Sequence, residues 1–86
     1  MTRDEILTKV RAIICEKIER SEGKLTPDMV EPKSRFIEDL GADSLEVLEL
    51  IMAIEDVFDL DEIPEEDIER ITTVEDAVKY LENVLA

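Results

Sequence analysis

The chain has 86 residues, 44% hydrophobic but only 3% aromatic, so it holds material for one small core, built from Leu, Ile and Val. It contains no His, no Trp and one Cys, which excludes a Ser-His-Asp or Cys-His nucleophile, a zinc site of the usual Cys/His kind and an internal disulfide. A net charge of −14 argues against nucleic acid, whose phosphates need the opposite sign.

The first predicted element is a helix. Thr2, Arg3, Asp4 and Glu5 fit a capping box, in which Thr2 and Glu5 each accept a backbone N–H. Apolar residues then follow at helical spacing: Ile6, Leu7, Val10, Ile13, Ile14 and Ile18. Cys15 lies off that stripe and is expected on the solvent side, with no role. The most apolar run near the N-terminus, residues 10–15, is broken by Arg11 and followed by Glu16 and Lys17, so no signal peptide is read there. Nothing approaches the ~20 apolar residues needed to cross a bilayer. With its lone cysteine, the chain is expected to be soluble and cytoplasmic.

Residues 21–41 read as a long connection, punctuated by Gly23, Pro27 and Pro32. A loop of that length needs anchors, and Phe36, Ile37 and Leu40 are the expected ones. A second helix is predicted from about residue 44 to 58, with Val47, Leu50, Ile51, Ile54 and Phe58 facing the core. Leu45, Leu48 and Met52 fall on another side, flanked by Glu49 and Asp56. A helix apolar on two sides either sits between elements or offers one side to a partner. After a turn over residues 59–63, Pro64 opens a short helix predicted to run to about Ile71. Thr72 to Glu75 match a second capping box ahead of a last helix carrying Val74, Ala77, Val78, Leu81, Val84 and Leu85 inward. There are no strand signals and no repeats. The expectation is an all-α, small four-helix bundle over residues 1–86 as a single domain. It has three main helices, one short third helix and a long loop between helices one and two.

Charge is distributed unevenly. Residues 1–35 carry +1 and residues 70–86 carry −1, whereas residues 36–69 hold fourteen acids and no Lys or Arg. Such a segment is either a solvated, solubilising surface or a field that steers basic partners. The second apolar stripe within it favours the partner reading for Leu45 and Met52.

Little chemistry is available within the chain. The only glycines are Gly23 and Gly41, so no phosphate-cradling loop exists. Asp59-Leu60-Asp61 begins like a calcium loop, but Ile63, Pro64 and Arg70 then occupy its fifth, sixth and twelfth places. Ser44 stands between Asp43 and the first apolar residue of the second helix. One reading makes Asp43 the cap, with Glu46 its partner, and Ser44 merely the first helical residue. The other notes that a phosphate on this hydroxyl would meet unpaired backbone N–H groups and the positive end of the helix dipole.

Residues 36–58, "FIEDLGADSLEVLELIMAIEDVF", followed by "EIPEEDIERITTVEDAVKYL", resemble the acyl carrier proteins of bacterial dissociated fatty-acid synthesis. The similarity spans roughly residues 3–85, and its most specific part is Asp43-Ser44-Leu45 after Leu40-Gly41-Ala42. The resemblance implies that a phosphopantetheinyl transferase, with Mg²⁺, moves 4′-phosphopantetheine from coenzyme A onto Ser44, beside Asp43 as a recognition residue. Acyl groups then ride on the arm as thioesters, and the chain itself is no enzyme. It further implies that ketoacyl synthases, reductases, dehydratases and acyltransferases present basic patches to the second helix. By position, the partner residues are Leu45, Glu46, Glu49, Met52, Glu55 and Asp56, together with Asp43. Leu50, Ile54, Ile63 and Ile71 are the implied acyl-chain lining, and a monomer is expected.

Four departures from the family pattern stand out. The stretch over residues 21–34 is a few residues longer than usual, and "FDLDEIP" is one residue longer. Glu46 stands where Asp is more usual, and Val57 where an acid is common. They leave open a specialised carrier for polyketide or lipid-A-type acyl transfer. From another class, a cofactor-free acidic interaction module stays open too.

Overall fold

In a computed structural model, residues 1–19 and 23–85 are described. Ser21, where the predicted connection begins, lies outside them. The described residues form α1 (Arg3–Lys17), a single 3₁₀ turn (Pro27–Met29), α2 (Ser44–Val57), a one-turn α3 (Glu65–Ile68) and α4 (Val74–Leu85), with no strand among them. This is the expected all-α four-helix bundle, and α1 is its centre, packed against both α2 and α4.

The capping boxes start the helices. Glu5 N–H donates to Thr2 Oγ1 at 3.2 Å while Thr2 N–H donates to Glu5 Oε1 at 3.0 Å. The same reciprocal pair opens α2, with Glu46 N–H to Asp43 Oδ1 at 2.7 Å and Asp43 N–H to Glu46 Oε1 at 3.1 Å. At α4 the predicted box is displaced by one residue. Thr73 and Asp76, not Thr72 and Glu75, exchange the two bonds, each at 3.1 Å. The cause is long-range. Thr73 forms an antiparallel bridge with Arg35, and Thr72 accepts the Phe36 N–H, so both are held extended and the helix cannot begin before Val74. Glu75 turns instead to Arg3, which also pairs with Glu82 at 2.8 Å. Hydrogen bonds from Thr72 and Thr73 hold the Asp76 carboxyl below its ordinary range, outweighing burial, the largest single influence, which acts upward.

The core runs through Ile6, Val10, Ile14, Leu50, Ile54, Val74, Val78 and Leu81, all buried. Two buried anchors of the long connection, Leu25 and Val30, were not among those expected, and Arg11 Nε donates to the Val30 carbonyl at 2.9 Å. Phe36 and Leu40 are buried as predicted, but Ile37 is 56% exposed and anchors nothing. The Phe36 N–H is bonded to Thr72, which fixes the direction of the Phe36 ring inward and turns its neighbour out. Cys15 also differs from expectation. It is half-buried against the core, and burial pushes its thiol above the ordinary value, so it is an inert packing residue rather than a solvent-side one. Val84, placed inward by spacing, is exposed near the end of α4.

The turn from α2 to α3 is a Schellman ending. Leu60 N–H donates to the Glu55 carbonyl at 2.8 Å and Asp59 N–H to the Asp56 carbonyl at 3.3 Å. Asp59 takes φ +52°, where glycine is the unstrained choice. Asp59→Gly is therefore expected to stabilise the fold by about 0.5–1 kcal/mol, raising the melting temperature a few degrees. A lower melting temperature in a circular-dichroism melt would contradict this. α3 stops at Ile68 rather than Ile71, because the chain turns by Arg70 N–H to Asp67 and Ile71 N–H to Ile68 to bury Ile71. Tyr80 Oη donates to Asp67 Oδ2 at 3.3 Å and ties α3 to α4.

Candidate functional site

Ser44 is the first residue of α2 and is exposed, as is the Asp43 cap before it. Gly41, at φ +79°, lets the chain turn from buried Leu40 and Ala42 into the helix. The Asp43 side chain serves the Glu46 amide and its carbonyl serves Val47, so the amides of Ser44 and Leu45 are left without partners among the described residues. The Ser44 hydroxyl makes no hydrogen bond with any described residue. A free hydroxyl therefore sits beside two unpaired N–H groups at a positive helix end.

The predicted residues of α2 sort by side. Leu45 and Met52 are 65% and 67% exposed, and the Glu49 and Asp56 carboxylates are exposed and make no hydrogen bond or ion pair with described residues. Met52, Glu49 and Asp56 border a groove of about 350 Å³ between α1 and α2, floored by Ile13 and Ala53. Glu46 and Glu55, by contrast, are half-buried and accept backbone N–H groups of other segments, Glu19 at 3.0 Å and Ile63 at 2.7 Å. Local sequence carries no signal for those bonds, because both donors lie on other segments. No base of residues 36–69 offsets this face, Lys17 of α1 lines the same groove beside Glu16, and Arg35, just before the acidic segment, is engaged by Glu38 and by Asp39. The Arg35 backbone N–H, followed by its guanidinium, holds the Asp39 carboxyl below its usual range.

Leu50, Ile54, Ile63 and Ile71 are all buried in one cluster. A cavity of about 130 Å³ opens beside it, lined by Phe36, Ile37, Val47, Ile71 and Thr72 with Arg35 and Glu38. Of the four candidate lining residues only Ile71 reaches it. Phe36 and Val47 could have been anticipated, since Phe36 is an expected anchor of the connection and Val47 lies on the core stripe of α2, one turn from Ser44.

The profile of the family described as a phosphopantetheine attachment site matches residues 8–81. The chain belongs to this family. Its members are carrier domains with covalently attached 4′-phosphopantetheine. The residues of this carrier domain fit the group on the structure's own terms: the Ser44 hydroxyl is exposed, makes no hydrogen bond with a described residue, and opens a helix at its positive end. No helix among the described residues is long and apolar enough to cross a membrane. Nor is any group of three or more His, Cys, Asp or Glu among them arranged to hold a metal ion.

Proposed function

We propose that residues 1–86 are one acyl-carrier domain, modified on Ser44, that shuttles intermediates between enzymes of fatty-acid biosynthesis as a cytoplasmic monomer. The observation that carries the reading is the uncommitted Ser44 hydroxyl at the unpaired N-terminus of α2, within a chain of the attachment family. The attached arm supplies the thiol on which an acyl group travels. Everything else falls to the chain's residues. Asp43 caps α2 and keeps Ser44 outward for the transferase. The exposed α2 acids Glu49 and Asp56 attract basic patches on synthases, reductases, dehydratases and acyltransferases, with Leu45 and Met52 as apolar contacts. Surface ion pairs are worth only ~0–1 kcal/mol each, which suits a shuttle that must leave every partner quickly. An acyl chain would enter past Phe36, Val47 and Ile71 and part the aliphatic cluster of Leu50, Ile54 and Ile63 behind them. Such a chain needs no His, since the reading gives it nothing to catalyse.

Intact mass before and after incubation with coenzyme A, Mg²⁺ and a broad-specificity phosphopantetheinyl transferase tests this directly. One added phosphopantetheinyl group is expected on the parent and none on Ser44→Ala. A folded, initially unmodified parent that gains nothing would leave Ser44 a helix-terminal serine and favour the acidic interaction module.

A further inference from the structure

We infer that the carboxylates of α2 are of two kinds: Glu46 and Glu55 are positioning residues that hold the helix between its neighbours, and Glu49 and Asp56 carry the docking charge. By sequence all four belong to one acidic face. The structure separates them by what they touch.

Glu46 spends both oxygens on the chain. Oε1 accepts the Asp43 N–H at 3.1 Å and Oε2 accepts the Glu19 N–H at 3.0 Å. Glu19 lies two residues beyond the end of α1, directly after buried Ile18. One side chain thus links the end of α2 that bears Ser44 to the chain leaving α1. Glu55 does the same at the other end. Its Oε2 accepts the Ile63 N–H at 2.7 Å and its carbonyl accepts the Leu60 N–H at 2.8 Å, so both ends of residues 60–63 are tied to one residue. Ile63 is buried, so that bond ties the backbone of a core residue to α2.

Helical geometry shows why the two kinds do not mix. At about 3.6 residues per turn, the nine residues from Glu46 to Glu55 place them on roughly opposite flanks of α2, each against a neighbouring segment. Glu49 and Asp56 are seven residues apart, about two turns, and share the outer face. A strut depends on length, because its oxygen must reach a fixed N–H. A docking charge depends on charge, because long-range attraction tolerates a shift of one methylene.

The test crosses length with charge. Glu55→Gln keeps the length and an acceptor oxygen, whereas Glu55→Asp keeps the charge and withdraws the oxygen. Amide hydrogen exchange on the unmodified folded protein should show the Ile63 N–H still protected in Glu55→Gln and exchanging about ten-fold faster in Glu55→Asp. Glu46→Asp can still cap Asp43, as Asp76 does for Thr73, but should free the Glu19 N–H. In transferase kinetics at low salt, Glu49→Gln should raise KM several-fold while Glu55→Gln leaves KM unchanged. Glu46→Asp should lower kcat at unchanged KM, with no dependence on salt.

The kinetic arm rests on the carrier reading, and the exchange arm does not. A parent that the transferase cannot modify would sink the carrier reading and leave the exchange data to decide the struts. Unaltered Ile63 exchange in Glu55→Asp, or a KM rise in Glu55→Gln matching that of Glu49→Gln, would overturn the division.

Discussion

Replacing Ile14 by alanine is expected to destabilise the fold by about 2–5 kcal/mol, the range for deleting a large aliphatic side chain from a packed core. Ile14 has no exposed surface and lies in the second half of α1, the helix that contacts both α2 and α4. The loss is therefore felt at more than one interface, and neighbours anchored by capping boxes on other helices cannot easily close the gap. Domains of this size bury a modest share of their surface, and net stabilities start at about 5 kcal/mol, so the change is a large part of the whole. In a thermal melt it should lower the midpoint by roughly 10–30 °C. Val84→Ala is the matched control. Val84 is exposed on α4, and its truncation should stay within about 0.5 kcal/mol. A loss at Ile14 below about 1 kcal/mol in urea titration would mean that the bundle relaxes to fill the space, a property of interest in a core proposed to part for an acyl chain.

That core also shows what was legible in the sequence. Helices α1 and α2 were readable because their signals are local: a cap, an N3 acid, and apolar residues at a fixed period. Ser44 and the outward positions of Leu45, Met52, Glu49 and Asp56 follow from the same wheel. The misplacements share a different origin. The α4 box begins at Thr73 because Arg35, far away in sequence, holds Thr73 extended. Ile37 faces out because the Phe36 amide is claimed by Thr72. Cys15 is packed against the core cluster, although its position on the wheel lies off the apolar stripe. Glu46 and Glu55 look like any other acid on the wheel, since the amides they serve belong to Glu19 and Ile63. A periodicity reports which side of a helix is apolar. It is silent on which distant backbone group will need an acceptor.

Reversing Glu49 and Asp56 together to lysine is expected to slow transferase modification at low salt by about ten-fold or more, within the range ascribed to electrostatic steering. The fold should survive, because neither side chain has a partner to lose and both point to solvent. The Asp56 position even gains, since a cation in the last turn of α2 complements the helix dipole. Far-ultraviolet circular dichroism should therefore match the parent. The defect should shrink as salt rises, because the Debye length falls from about 10 Å at 0.1 M to about 3 Å at 1 M. Net charge alone could mimic this result, since the pair of substitutions takes the chain from −14 to −10. Asp28→Lys with Glu31→Lys makes the same change on the exposed connection before α2, and it should leave the rate near that of the parent. If both double variants slow modification equally, the bulk charge is acting and α2 loses its claim as the docking face. If neither does so at low salt, encounter is governed by Leu45 and Met52, and the acids serve solubility. Only a defect confined to Glu49 and Asp56, and erased by salt, fits a helix whose outer face greets partners while Glu46 and Glu55 hold it in place.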